Sequence, residues 1–333
     1  MNISAASTAA KPAEVEGFFD THFYTPLGGV LTRVLALTPL TPNDVSWLSV
    51  AAALAAALAY FQPTLQGALI GSALLLFSGV LDSADGQLAR ATGRTSELGE
   101  TLDGFCDSLS FGLIYAAAAL SFVIHERGSV PLIAILALTA AFSHSLQSSL
   151  VDFERQLLIH YLTGRGRVLR EDGETLKRDL VEGRARGEGW WPQLLRRVRM
   201  DYCGRQRRWL RGSVDLLELH QSHIAPFPDR AAWFADRYRD EVRPLMRWWT
   251  ILAPNSHTLG ILVCGFIPFV LAGTGIARMG LTLVFLFDIG LNFTVPFLLT
   301  AQAHIDRQMA EAIAALDERG TGDLQAFNLQ AAR

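Results

Sequence analysis

Long apolar stretches separated by short polar breaks run along most of this chain. They fall at about 45–61, 65–81, 108–124, 130–151, 257–273 and 279–303. A helix needs around 20 residues to cross a bilayer. The second and third stretches reach that length only by taking in the polar strings Asp82–Arg90 and Leu98–Asp107. Upstream, residues 13–38 place Val15, Phe18, Phe19, Phe23, Leu27, Val30, Leu31, Val34 and Leu35 at helical spacing, opposite Glu14, Glu16, Asp20 and Arg33. Pro26 is expected to bend that segment, whose apolar face suits the membrane interface. Thr41-Pro42-Asn43-Asp44 supplies an N-cap, a proline in the first turn and a capping-box acid, and so starts the first span. The pattern predicts an all-α integral membrane protein with six transmembrane helices, an N-terminal interfacial amphipathic helix and a long cytoplasmic insertion between helices 4 and 5. The expected divisions are 1–162 (amphipathic helix and spans 1–4), 163–250 (basic insertion), 251–305 (spans 5 and 6) and 306–333 (polar tail).

Composition agrees with this reading: half of the 333 residues are hydrophobic and 18% are charged. The first dozen residues lack an apolar core and a cleavage site, so no signal peptide is expected. Cys106, Cys203 and Cys264 are scattered, which offers neither a disulfide framework nor a zinc motif. Residues 163–250 hold 19 of the 29 Lys and Arg against 13 acidic residues, a net of +6. Seven arginines lie between 195 and 211 around Tyr202 and Trp209. No nucleic-acid-binding motif accompanies them, so attraction to anionic headgroups is the simpler reading and nucleic acid is not an expected partner. The positive-inside rule places this segment, the N-terminus, the 90–97 turn and the tail in the cytoplasm. A multi-pass protein of the cell (inner) membrane follows.

The chemistry concentrates in Asp82, Asp85, Asp103 and Asp107. Carboxylates at membrane depth are costly and usually mark function. Spacings of three and four residues put each pair on one face of a helix. Gly93, Arg94, Thr95 and Ser96 between them suit a turn that brings the two helices together. Four clustered carboxylates repel one another unless cations share them, and all-oxygen ligands favour Mg²⁺, Mn²⁺ or Ca²⁺ over zinc. Gly86 and Gly99 leave backbone open to a bulky ligand, and Arg90 can pair with a phosphate or an Asp.

The string D-x2-D-G-x2-A-R-x8-G-x3-D-x3-D over residues 82–107 resembles the signature of the CDP-alcohol phosphotransferase family, with every fixed position filled. A chance match is about one in 10⁹ per start site at ordinary residue usage. The resemblance implies six transmembrane helices, a homodimer and a site with two Mg²⁺ or Mn²⁺ ions, at which CMP is displaced from a CDP-linked lipid or alcohol. By that likeness Asp82, Asp85 and Asp103 are metal ligands, and Asp107 is the general base, also touching metal. Gly86, Ala89, Arg90 and Gly99 would bind the CDP moiety. The likeness does not extend to the long 163–250 connection.

Other polar residues in the spans are candidate acceptor contacts: Asn43, His144, and Asp288 with Asn292 one turn on. Trp248 and Trp249 read as interfacial anchors or, with Glu154, as a wall for a cationic head group. Two substrate pairings remain open. In one, CDP-diacylglycerol gives a phosphatidyl group to a small polar alcohol; in the other, CDP-choline or CDP-ethanolamine gives its head group to diacylglycerol or ceramide. Few Lys or Arg lie near the aspartates beyond Arg94, Arg155 and Arg247, which disfavours a phosphorylated acceptor, and the diacylglycerol-type donor is preferred. An ion-coupled transporter and an inactive scaffold are the alternatives of other classes. The first lacks an internal repeat; the second is at odds with an intact motif.

Overall fold

The structure is a computed structural model that describes residues 13–169 and 172–319, so the expectations for 1–12 and for the tail beyond 319 lie outside the described residues. Twelve α-helices account for most of it, with no strand among the described residues. They are α1 (Thr25–Leu35), α2 (Pro42–Phe61), α3 (Leu65–Thr92), α4 (Glu97–His125), α5 (Val130–Thr163), α6 (Gly173–Ala185), α7 (Trp190–Trp209), α8 (Arg211–Leu219), α9 (Pro228–Trp249), α10 (Pro254–Val270), α11 (Leu283–Leu291) and α12 (Val295–Arg319).

Helices α2 to α5 are each long and apolar enough to span a bilayer, as is the stretch Met279–Glu318. A sixth candidate exists if α9 and α10, bent by 43° at their junction, act as one broken span. Leu54, Leu58, Leu69, Phe77, Leu120, Ile124, Leu132, Ile135, Leu138 and Phe142 face outward from α2–α5. A protein in water would not leave so broad an apolar belt uncovered.

Local sequence explains most boundaries. Thr41 accepts from the Asp44 N–H at 3.3 Å while Asp44 Oδ2 accepts from the Thr41 N–H at 2.8 Å, so the expected capping box starts α2. Gly93, at φ 67°, ends α3 in the left-handed region that glycine adopts without strain, and Ser96 caps α4 by accepting from the Gly99 N–H at 3.0 Å. These two caps fold α4 back along α3.

Three segments differ from expectation. Residues 13–38 are not one regular helix: helical backbone starts at Phe18, passes through a π turn over Asp20–Tyr24 and continues as α1, with Pro26 just beyond the π turn. Proline lacks the N–H that a regular helix interior needs, and the irregular turn lies where that bond is missing. Helix α1 lies against α3 where Gly28 meets Ser83 and Gln87; a Cβ there would come within 2.7 Å of Ser83 Oγ. The 279–303 stretch is likewise interrupted, with α11 ending at a turn before Val295-Pro296 opens α12. Trp249 is fully buried and donates Nε1–H to Gln302 Oε1 at 3.4 Å, so it packs a core rather than anchoring at an interface, while Trp248 is exposed.

The 163–250 segment is helical and integrated with the rest. Val214, Leu216 and Leu217 of α8 and Phe234, Tyr238, Val242 and Met246 of α9 share one buried cluster with Leu150, Leu157 and Leu158 of α5 and Met309, Ile313 and Leu316 of α12. Many of its arginines are paired. Arg199 meets Glu97 at 3.1 Å, Arg230 meets Asp317 at 2.6 Å and Arg239 meets Glu14 at 2.7 Å. Hydrogen bonds from Arg196 and Arg186 hold the Glu188 carboxyl below the usual carboxylate range.

Candidate active site

Asp82 and Asp85 lie on the last turns of α3, and Asp103 and Asp107 on the first turns of α4. The fold-back at Gly93 faces the two pairs toward each other. Asp82, Asp85 and Asp103 each offer a carboxylate oxygen within 4.8 Å of the others. The Asp107 carboxyl lies close enough to that of Asp82 for the two to repel each other. Two carboxyl groups at that range require a proton or a cation between them.

Apolar packing fixes both helices. Leu81, Ala84 and Leu88 of α3 are buried with Val45 of α2 and Leu35 of α1. On the other side Leu102 and Cys106 of α4 pack with Val50 of α2 and Leu195 of α7, with Phe105 and Trp191 at the edge. Helix α7, which sequence patterning set apart from the motif, thus braces the motif helix. Arg199–Glu97 and Arg167–Glu100, the latter at 3.6 Å, pin its first turn.

Ser46 of α2 is a component that no motif indicated. Its hydroxyl donates to Asp85 Oδ2 at 2.5 Å, and both residues are only 4% exposed. Asp82 Oδ1 is buried without a hydrogen-bond partner. A buried carboxylate oxygen left so is expensive, and a divalent ion is the ligand that removes the cost for this donor set. The residues therefore fit one or more hard cations.

The remaining expected residues divide. Gly86, Ala89 and Gly99 flank the aspartates, and Arg90 is exposed beside them. A Cβ on Gly86 would meet only Arg90 Nη1, at 3.5 Å, so the space above it is open. Asn43 Oδ1 is 3.5 Å from where a Gly99 Cβ would stand, which brings the start of α2 to the rim. His144, Asp288 and Asn292 form a separate buried network: Asn292 donates to Ser143 Oγ and accepts from Gln147, each at 2.7 Å. His257 belongs to it too, with Nδ1 2.7 Å from Asp288 Oδ1. Glu154 is fully buried and accepts from Ser213 Oγ at 3.0 Å, so it is not placed to face a head group. A cavity of about 260 Å³ lined by Tyr60, Ser121, His125 and Phe269 contains none of the motif residues.

Comparison with known proteins bears on this geometry. Residues 39–155, from the start of α2 into the second half of α5, match the family model for CDP-alcohol phosphatidyltransferase. All four aspartates and Ser46 fall inside that region. The chain is 36% identical over 88 residues to the archaetidylinositol phosphate synthase of Pyrococcus horikoshii. That match covers 26% of this chain and 45% of the relative, less than half of its length. No solved structure matches the chain.

Proposed function

We propose that the protein, whose residues 39–155 match the family model for CDP-alcohol phosphatidyltransferase, transfers a phosphatidyl group from a CDP-linked lipid to the hydroxyl of a small polar alcohol, releasing CMP. The observation that carries this reading is the convergence of Asp82, Asp85 and Asp103 on one point, with Asp107 beside Asp82.

Asp82, Asp85, Asp103 and Asp107 would hold two Mg²⁺ or Mn²⁺ ions. Bound there, the ions would neutralise charge on the pyrophosphate and on departing CMP. The chain's own residues do the rest. Ser46 fixes the Asp85 carboxylate. The open backbone at Gly86 admits the nucleotide, with Gly99 at the rim beside Asn43, and Arg90 faces its phosphates. Asp107 accepts the proton of the acceptor hydroxyl as that oxygen bonds to the phosphorus distal to cytidine. The bond from that phosphorus to the bridging oxygen breaks, and the electron pair leaves with CMP. Catalysis is then mainly positioning and charge stabilisation. With α3 and α4 antiparallel spans, the aspartates would open to the cytoplasm, in a multi-pass protein of the cell membrane.

One observation supports a phosphorylated acceptor, against the expectation from basic-residue counts. Arg155 of α5 has Nε and Nη2 buried with no hydrogen-bond partner, although Asp20, Asp152 and Glu16 are its charged neighbours, and a guanidinium with unused donors can take a phosphate. The synthase from Pyrococcus horikoshii is named for a product that retains such a phosphate. The test is CMP release by purified protein from CDP-diacylglycerol or CDP-ethanolamine, with Mg²⁺ or Mn²⁺ and a panel of acceptors including inositol phosphate, glycerol phosphate, serine and diacylglycerol. No CMP release with any pairing would overturn the proposal.

A further inference from the structure

One group of ligating side chains inside the apolar bundle is separate from the aspartate cluster. His144 of α5, His257 of α10 and Asp288 of α11 are all buried, His257 and Asp288 completely. Each brings a ligand atom within 4.8 Å of the other two. The two imidazole rings lie 4.0 Å apart, centroid to centroid. Tyr115 of α4 donates its hydroxyl to Asp288 Oδ2 and lies 3.3 Å from His144 Nδ1.

Both rings turn Nδ1 toward the same point: His257 Nδ1 lies 2.7 Å from Asp288 Oδ1, and His144 Nδ1 lies beside the Tyr115 hydroxyl that donates to Asp288. Two imidazole nitrogens, a carboxylate and a phenol oxygen thus converge inside the apolar bundle, where a buried carboxylate needs a proton or a cation.

We propose that His144, His257 and Asp288 form a second metal site, which takes a borderline transition-metal ion such as Zn²⁺ rather than Mg²⁺. Imidazole nitrogen selects Zn²⁺ over the hard cations suited to the aspartate quartet. The ion would take the place of the protons now shared among His144 Nδ1, His257 Nδ1, Asp288 and Tyr115 Oη, four donors as in a closed structural zinc site. The support is itself braced: Gln147 Nε2 donates to the Asp288 carbonyl at 2.9 Å and to Asn292 Oδ1 at 2.7 Å. An ion here ties α4 and α5 to α10 and α11, the helices that return after the 163–250 segment. Its binding free energy would add directly to folding.

The experiment uses full-length protein in lipid nanodiscs, stripped with chelator and then held in excess Mg²⁺ to fill the aspartate quartet. Zn²⁺ is added, unbound ion is removed, and bound zinc and thermal stability are measured; Co²⁺ serves as a spectroscopic probe. Unsubstituted protein should retain about one zinc per chain and unfold at higher temperature with it. Retained zinc should fall about tenfold or more in His257→Gln and in Asp288→Asn, but not in Asp107→Asn. Zinc retention that is negligible in the unsubstituted protein, or equal in the His257 and Asp288 variants, overturns the proposal. If a variant fails to insert, the Co²⁺ spectrum of the unsubstituted protein decides: intense tetrahedral bands support the site, and weak octahedral bands or none refute it. None of these readouts uses CMP release, so the outcome is independent of the transferase reading.

Discussion

Ser46→Ala is the most discriminating perturbation of the aspartate site, because Ser46 belongs to no motif and touches the site at one atom. Its hydroxyl has a single proton and two acceptors within reach, Asp85 Oδ2 at 2.5 Å and the Pro42 carbonyl at 3.2 Å. The shorter, charge-assisted bond takes it. Loss of the hydroxyl leaves a carboxylate oxygen that is shut off from water, since Asp85 is 4% exposed. A hydrogen bond to a charged group contributes roughly 1.5–3 kcal/mol. That corresponds to about 10- to 150-fold in an equilibrium constant. The loss should appear in metal affinity, because the carboxylate is no longer aimed at its ion; outer partners of metal ligands commonly contribute about 10- to 100-fold. The assay is CMP release against Mn²⁺ concentration. The half-saturating Mn²⁺ should rise by about 10- to 100-fold, with the rate at saturating Mn²⁺ little changed and Ser46→Thr restoring the original value. If the half-saturation point stays where it was while the maximal rate collapses, Ser46 is not orienting a metal ligand and the reasoning fails.

Further outcomes follow from the same structure. Asp107→Asn should lower the rate by about 10²- to 10⁴-fold, the range for loss of a general base, while the protein elutes and unfolds as before; full activity would remove its assignment. EDTA should abolish CMP release, and Mg²⁺ or Mn²⁺ should restore it. Leu195→Ala, which opens the α7–α4 contact at Leu102 and Cys106, should cost about 2–5 kcal/mol of stability, read by thermal unfolding in nanodiscs. His220 is held near 4 by burial and by the neighbouring His160, below the ~6.5 of an unfolded histidine. Its contribution to stability is therefore complete above pH ~6.5 and is lost as pH falls from there toward about 4, because the unfolded chain takes the proton that the folded one refuses. The melting temperature should drop over that window, and His220→Gln should flatten the drop.

The candidate site was legible because its ligands lie within one helical hairpin. Asp82 and Asp85, and Asp103 and Asp107, are paired by spacing alone, and the turn between them is written in Gly93 and Ser96. Ser46 was not legible: it stands 39 residues from its partner, and a serine on an apolar helix has many uses. His144 and Asp288 were marked as intramembrane polar residues, but their company with His257 and Tyr115 was not, since those contacts join α5, α10, α11 and α4 across the insertion. The basic character of 163–250 suggested a surface facing headgroups or solvent. Its buried face against α5 and α12 was hidden because each of those helices carries ordinary amphipathic periodicity with no mark of its partner.

The sequence by itself determined that the chain is helical and rich in bilayer-length apolar segments, where the first helices begin, and that four carboxylates gather on one hairpin. Those features depend on neighbours three or four residues away or on summed hydrophobicity, both of which are local. Only the tertiary structure decided which serine steadies Asp85, that α7 braces the motif helix, and that two imidazoles and an aspartate meet far from the motif. Those are meetings between helices distant in sequence, selected by shape and by the need to satisfy buried polar atoms, and no short stretch of residues encodes either.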